Sequence, residues 1–304
     1  MAVKKAEPPF LRPGDEVAII SPSFSIDSTK IEEAVNFLEN WGLRVHIGKN
    51  ALKKYGSFAG DDRERLNDLQ EMTDNRRIKA VFCSRGGYGM LRIIDKVDFS
   101  PLKERPKWYI GFSDITALHL WLSQVCGLVS LHGEMPVNYG NPKKRKETFE
   151  SLHGHLFGGA ASVCWRGNFI NAGDAKGEIT GGNLTLIFTL MGTPAEINPR
   201  GKILFIEEVG EYLYHLDRMM TSLRISGRLE GVSALIVGGL SRMKNKGEPW
   251  GKTAEETIAE AVKDYGYPIL FGFPAGHIPD NRSLYIGREA RINIRNNVAE
   301  LRYS

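Results

Sequence analysis

The feature that most constrains the fold is a repeated alternation of strand and helix patterns near the start of the chain. The apolar runs typical of buried strands, and the amphipathic helical patterns that separate the first three of them, lie in chain order at 16–22, 28–42, 43–48, 61–75, 79–84 and 107–112. Strands and helices that alternate in this way favour a parallel sheet with right-handed crossovers. The sequence therefore predicts an N-terminal α/β domain built on a doubly wound parallel sheet.

The second half of the chain has a mixed pattern. Strand-like and helical segments follow a glycine turn at 181–182, and the chain ends in a hairpin-like pair at 284–287 and 290–295. This pattern predicts a mixed, β-rich α/β domain. The tract between the halves is rich in proline, glycine, asparagine and charge, which is typical of domain boundaries. We therefore expect an N-terminal domain over residues 1–140, a linker over 141–170 and a C-terminal domain over 171–304.

Composition excludes several functional classes. The chain has 304 residues and a formal net charge of only +4, which gives no case for a nucleic-acid or membrane partner. Its three cysteines, Cys83, Cys126 and Cys164, are widely spaced and odd in number, so neither a disulfide framework nor a zinc site is expected. The first residues lack the apolar core of a secretory signal, which favours a cytoplasmic location.

A serine at an abrupt strand-to-helix join is the first candidate for chemistry. In a parallel sheet, ligands bind beyond the carboxyl ends of the strands, and Ser113 follows the strand at 107–112 and precedes a helical pattern. Such a turn exposes a nucleophile, but the tract GFSDI (111–115) has Ile115 where the nucleophile turn G-x-S-x-G has its second glycine. From this tract alone, a helix cap formed by Ser113 or Asp114 is the simpler interpretation.

A nucleophilic serine needs a base and an orienting acid. His277 lies beyond an apolar strand in a loop rich in glycine and proline, which suits a general base, although a plain surface loop is the alternative. Glu207 and Glu208 end the strongly apolar strand at 202–209, and strand alternation points them to opposite faces, so only one can serve. The order Ser113, glutamate, His277 is that of one class of serine hydrolases.

Glycines and further histidines complete the candidate site. The tract RGGYG (85–89) follows a strand and could bring backbone N–H groups to an oxyanion or a phosphate. His132 also follows a strand and could line the pocket. His153 and His155 form an H-x-H pair, but nothing near them supplies the remaining ligands of a metal site, so no metal or other cofactor is predicted.

Nine tracts, in order along almost the whole chain, resemble the LD-carboxypeptidase family of serine peptidases, which also contains the microcin C immunity-type peptidases. They are FAGDDRERLNDL (58–69), FCSRGGYG (82–89), IGFSDITALH (110–119), LHGEM (131–135), GGNLTLI (181–187), MGTP (191–194), ILFIEEVGE (203–211), DRM (217–219) and GHIPDN (276–281). Each tract is unspecific alone, but the combination is specific.

The resemblance implies a Ser–Glu–His triad in which Ser113 is the nucleophile, His277 the general base and Glu207, with Glu208 as the fallback, the acid. It also implies an oxyanion hole from the backbone at Gly86 or Gly87 and at Asp114. The fold that the resemblance implies has a flavodoxin-like or amidotransferase-like N-terminal domain and a β-rich C-terminal domain, and the triad spans both.

The same resemblance implies a cytoplasmic homodimer that removes the C-terminal D-alanine of murein tetrapeptides. Arg85 is a candidate for binding the terminal carboxylate of the substrate, or for a structural pair. Two alternatives stay open: a peptidase or amidase that acts on peptidyl- or aminoacyl-nucleotides, and a binding protein without catalysis.

Overall fold

The computed structural model describes residues 5–141, 143–159 and 162–303. The chain divides into two compact units. The first contains the described residues of Met1–Ala160 together with the later segment Pro279–Ile286. The second contains those of Ala161–Ile278 and Gly287–Ser304.

Strands and α-helices form the framework of both units. The strands are β1 (Glu16–Ile20), β2 (Arg44–Ile47), β3 (Ile78–Cys83), β4 (Trp108–Gly111), β5 (Ser130–His132), β6 (Ser162–Trp165), β7 (Phe169–Ile170), β8 (Ala175–Asn183), β9 (Ile203–Val209), β10 (Ala234–Ser241), β11 (Ile269–Leu270), β12 (Leu284–Ile286), β13 (Glu289–Arg295) and β14 (Val298–Tyr303). The α-helices are α1 (Ser28–Glu39), α2 (Asp62–Asp74), α3 (Thr116–Gln124), α4 (Lys146–Phe157), α5 (Leu184–Thr189), α6 (Leu213–Ile225) and α7 (Ala254–Val262).

The first unit is built on a six-stranded sheet in the order β12-β5-β4-β3-β1-β2. Five of its strands are parallel, and only β12 runs antiparallel, beside β5. The central strands β1, β3 and β4 are almost entirely buried, as expected for a parallel sheet in an α/β protein. The predicted parallel α/β architecture is confirmed, and it brings the carboxyl ends of β1, β3 and β4 to one edge.

The prediction of a hairpin between 284–287 and 290–295 is wrong. Strand β12 pairs with β5 in the first unit, whereas β13 pairs with β14 and β8 in the second. All three residues of β12 are buried, and the Tyr285 ring stacks on Trp108 with a centroid distance of 5.4 Å. A hairpin with one face in solvent would alternate buried and exposed residues, so three consecutive buried residues are better accommodated at the edge of a covered sheet.

The second unit has an eight-stranded mixed sheet in the order β6-β14-β13-β8-β9-β10-β11-β7. Strands β8 to β11 are parallel, and antiparallel strands flank them on both sides.

The segment 141–170, for which we expected a linker, contains α4, which belongs to the first unit, and β6 and β7, which belong to the second. In α4 the apolar residues Leu152 and Leu156 recur at helical spacing on its buried side. Within the described ranges, no helix has the length and apolar character that a membrane span requires.

Candidate active site

The Ser113 turn has a strained backbone. Strand β4 ends at Gly111, Ser113 has φ 65°, and a short 3-10 turn, Ser113–Ile115, leads directly into α3. A positive φ is uncommon for a residue other than glycine, and it is typical of the sharp turn that presents a nucleophile. A Cβ atom at Gly111 would lie 2.9 Å from both γ-carbons of Ile115, so glycine is required there. Ile115, which stands where the motif has its second glycine, thus packs its side chain on Gly111.

The glycine loop, residues 85–89, lies against this turn. A Cβ atom at Gly86 would lie 2.9 Å from Cβ and 3.0 Å from Oγ of Ser113, and 3.3 Å from the backbone nitrogen of Asp114. Gly87 has φ 111°, and a Cβ there would overlap the Phe24 ring. The structure therefore brings three of the predicted residues, Ser113, Gly86 and Asp114, into one cluster in the first unit, with Gly87 next to it.

The two tentative substrate-binding residues lie in different surroundings. Arg85 is half-buried, its Nη1 donates to the carbonyl oxygen of Ser25 at 3.0 Å, and its guanidinium lies 5.9 Å from the centre of the Phe24 ring. His132 is fully buried in β5, where its ring centre lies 5.7 Å from that of Phe112. In this structure Arg85 joins the glycine loop to the loop that contains Phe24 and Ser25, and His132 is a core residue.

The second unit brings Glu207 and His277 together. Glu207 is fully buried in β9, and its Oε2 lies 2.7 Å from Nδ1 of His277 and accepts the backbone N–H of His277 at 3.3 Å. The preceding Gly276 has φ 106°, and a Cβ there would lie 2.7 Å from the same Oε2. A carboxylate can only accept, so Nδ1 carries the proton and Nε2 is the nitrogen that can take one in the neutral tautomer.

Glu208 faces a different set of partners. Its Oε2 accepts the backbone N–H and the hydroxyl of Thr185, both at 2.8 Å, and its Oε1 accepts the N–H of Val209 at 2.8 Å. Burial raises the pKa of this carboxyl, and the charge of neighbouring Glu207 adds to the rise. Of the two adjacent glutamates, only Glu207 contacts His277 in the described hydrogen-bond network, which distinguishes the predicted acid from its fallback.

Asn183 is a residue of this site to which sequence reasoning gave no role. Its Nδ2 donates at 3.1 Å to both Glu207 and Glu208, and its Oδ1 caps α5 by accepting the N–H of Leu186. One amide thereby fixes both buried carboxylates. In the sequence, Asn183 follows two glycines and precedes a helical pattern. This context is typical of an N-cap and does not by itself indicate a second role.

Three further histidines have structural roles. His119 is buried, with one ring nitrogen 2.8 Å from the Gly111 carbonyl oxygen and the other 2.9 Å from Ser130 Oγ. Burial lowers its pKa to about 4, against the opposing effect of the Gly111 hydrogen bond. The His153 ring stacks on Phe157 at 4.4 Å, and His155 Nδ1 bonds the Ser151 carbonyl oxygen. Over the part of the chain that the structure describes, no group of three or more His, Cys, Asp or Glu side chains could hold a metal ion.

Comparison of the sequence with known protein families gives two matches. The profile described as the LD-carboxypeptidase N-terminal domain matches residues 17–133, and the one described as the LD-carboxypeptidase C-terminal domain matches residues 176–292. The chain belongs to the LD-carboxypeptidase family. It is therefore a peptidase, as the resemblance predicted.

Curated relatives in this family match over nearly their full length. A protein of Bacillus subtilis named probable murein peptide carboxypeptidase is 34% identical, covering 94% of this chain and 91% of the relative. The murein tetrapeptide carboxypeptidase of Pseudomonas aeruginosa is 30% identical, covering 90% of this chain and 92% of the relative.

Solved structures show the same fold. The muramoyltetrapeptide carboxypeptidase from Oxalobacter formigenes superposes with a TM-score of 0.86 at 27% identity, covering 95% of this chain and 98% of that one. The microcin C7 self immunity protein MccF, in complex with aspartyl sulfamoyl adenosine, gives a TM-score of 0.88 at 23% identity, covering 99% and 98%. At that identity the MccF match shows the fold alone.

Proposed function

We propose that this LD-carboxypeptidase family member is a serine peptidase that cleaves the L–D peptide bond before the C-terminal D-alanine of murein tetrapeptides. The observation that carries the mechanism is the contact of buried Glu207 with Nδ1 of His277, which orients the imidazole as a general base. The substrate is inferred from the relatives named murein peptide and murein tetrapeptide carboxypeptidase.

In the proposed reaction, Ser113 and His277 act on the same bond. Ser113 Oγ attacks the carbonyl carbon of the L-residue that precedes D-alanine, and its proton moves to Nε2 of His277. Glu207 stabilises the resulting imidazolium through the Nδ1 hydrogen bond. His277 then gives the proton to the leaving nitrogen, the C–N bond breaks and D-alanine departs, leaving an acyl ester on Ser113.

The second half of the reaction restores the enzyme. Water attacks the ester carbonyl carbon while His277 takes a proton from that water. The ester C–O bond then breaks, and His277 returns the proton to Ser113 Oγ. In both steps we assign the oxyanion to backbone N–H groups at Gly86 or Gly87 and at Asp114, a role supported by the close approach of Gly86 to Ser113. Each chemical role is assigned to a side chain or backbone group of this protein, so the proposal includes no cofactor.

A second candidate function is hydrolysis of an aminoacyl- or peptidyl-nucleotide. It is favoured by a cavity of about 400 Å³ in the second unit, whose lining combines aromatic and basic side chains, including Tyr214, Lys244, Lys246 and Trp250. The Trp250 indole is 37% exposed, although its N–H donates to Thr257 Oγ1 at 3.1 Å. An aromatic and cationic lining suits a nucleobase and a phosphate.

The two functions are separated by a direct comparison of substrates. The protein is incubated with a murein tetrapeptide and, separately, with an aminoacyl-adenylate analogue, and the products are identified by mass spectrometry. We expect release of D-alanine from the tetrapeptide at a kcat/KM at least a hundredfold above that for the nucleotide conjugate. The reverse ratio would favour the second function, and cleavage of neither compound would contradict both.

We also propose that the protein acts as a homodimer in the cytoplasm, as the family resemblance implies. Light scattering coupled to gel filtration tests the dimer, for which the expected mass is twice the 33.9 kDa of the chain. Fractionation of cells tests the location. A monomer mass, or recovery in the envelope or the medium, would refute the respective proposal.

A further inference from the structure

A buried arginine connects two loops of the first unit. Arg65 is only 1% exposed, and its Nη1 donates to the carbonyl oxygens of Pro22 at 2.7 Å and Gly89 at 2.9 Å. Pro22 follows β1, and Gly89 ends the glycine loop that follows β3. Asp62 on α2 pairs with the same guanidinium. A buried charge with these partners restrains the loops it contacts, because moving either loop would break one of its buried hydrogen bonds.

The Asp114 carboxylate connects the same two loops from the nucleophile turn. It is 1% exposed, and its Oδ2 accepts the Ser23 hydroxyl at 2.6 Å and the Met90 N–H at 2.9 Å. Ser23 lies next to the first Arg65 contact, and Met90 lies next to the second. Since Asp114 directly follows Ser113, its side chain links the turn that carries the nucleophile to both neighbouring loops.

The glycine loop needs such support. Gly87 and Gly89 have φ values of 111° and 140°, which glycine adopts without strain but does not enforce. The loop nevertheless lies so close to Ser113 that a Cβ atom at Gly86 would meet the serine side chain. Backbone donors stabilise an oxyanion only when they are fixed before charge develops. The contacts of Arg65 with Gly89 and of Asp114 with Met90 supply that restraint at the C-terminal end of the loop.

We propose that Arg65 and the Asp114 side chain are positioning residues that hold the glycine loop against Ser113 while the tetrahedral intermediate forms. This inference rests on the proposed function, in which Ser113 is the nucleophile and the loop lines the oxyanion hole. Displacement of catalytic groups by about 1 Å can reduce a rate by about a hundredfold. The restraint acts on the transition state, so its loss changes kcat and leaves KM almost unchanged.

The test uses two substitutions that keep the catalytic residues. Ser23→Ala removes one donor to Asp114, and Arg65→Lys replaces the forked guanidinium by a single ammonium that cannot reproduce the same set of contacts. Thr73→Val is the matched control, because Thr73 Oγ1 makes buried hydrogen bonds to Tyr109 and to the Leu69 carbonyl in the same unit, apart from the loops. We expect kcat to fall at least tenfold in both test variants with KM within twofold, and to stay within twofold in the control.

Two further readouts separate positioning from a general loss of structure. A tripeptide that ends in the boronic acid analogue of L-lysine forms a tetrahedral adduct with serine, and its affinity should fall in parallel with kcat. In the Ser113→Ala background, the affinity for the uncleaved tetrapeptide should be the same with and without Ser23→Ala. Equal losses in adduct and substrate affinity, or a kcat like that of Thr73→Val, would overturn the proposal.

Hydrogen exchange tests the restraint without any assay of activity. Amide exchange across 85–90 should be faster in Ser23→Ala than in Thr73→Val, and an equal rate would overturn the inference. If the wild-type protein cleaves no tetrapeptide, the proposed function fails, while this exchange measurement still decides whether the hydrogen bonds of Asp114 restrain the loop.

Discussion

Glu207 Oε2 lies 2.7 Å from Nδ1 of His277, and the carboxylate is fully buried. The same oxygen accepts the backbone N–H of His277, and Asn183 holds the other oxygen. A carboxylate removed from water in this way is retained only with partners, and here they fix both the ring and its tautomer. The pair therefore has the geometry of the acid and base of a serine hydrolase.

Glu207→Gln should abolish most activity. The substitution keeps the shape of the side chain but removes the charge that fixes the tautomer of His277 and stabilises the imidazolium, so kcat should fall by about ten-thousandfold. The matched control is Glu211→Gln, because Glu211 also pairs with a histidine, His215, at 2.9 Å but in a more exposed position. Steady-state kinetics measure both variants. Comparable rates for Glu207→Gln and Glu211→Gln would show that Glu207 is not the acid.

Gly86→Ala should impair the nucleophile directly. The new Cβ would lie 2.9 Å from Cβ and 3.0 Å from Oγ of Ser113, closer than side-chain atoms normally approach. We expect kcat/KM to fall at least a hundredfold while the far-ultraviolet circular dichroism stays unchanged. Gly159→Ala is the control, since the nearest atom to its Cβ would be 3.8 Å away. An active Gly86→Ala enzyme would mean that this loop does not approach the serine during the reaction.

The lowered pKa of His119 should make the protein less stable in mild acid. The pKa of this buried ring is about 4 in the folded state and 6.5 for an ordinary histidine, so between these pH values the unfolded chain binds a proton that the folded protein does not. The free energy of unfolding should therefore decrease as the pH falls from 6.5 to 4, by about 3 kcal/mol in full. Urea unfolding at a series of pH values measures the slope.

A variant isolates this contribution. His119→Gln removes the titrating ring, so its free energy of unfolding should depend less on pH over the same window, whereas His153→Gln, at an exposed position, should retain the wild-type slope. Identical slopes in the wild type and in His119→Gln would assign the acid sensitivity to other groups.

The sequence predicts the parts of this structure that depend on local patterns. Strands β1 to β4, the turn at Ser113 and the need for glycine around it follow from periodicity and from residues with special backbone preferences. The Glu207–His277 contact does not follow from local pattern, because it joins residues 70 positions apart. Family resemblance supplied that pair, and strand alternation alone left Glu207 and Glu208 equivalent.

Two features were hidden because a simpler interpretation explained the same residues. Asn183 has the sequence context of a helix cap and is one, yet its amide also joins two buried carboxylates. Strand β12 has a neighbour in sequence with which a hairpin is simple, yet it pairs with β5, a strand far away in sequence. In both cases tertiary contacts add a role that the local signal does not contain.

The central claim is that Ser113 is the nucleophile of an LD-carboxypeptidase. Its most direct test is mass spectrometry of a murein tetrapeptide incubated with the wild-type protein and with Ser113→Ala. We predict conversion to the tripeptide with release of free D-alanine by the wild type, and no conversion by a Ser113→Ala protein that retains the wild-type thermal midpoint within a few degrees. Release of D-alanine by Ser113→Ala at the wild-type rate would contradict the claim.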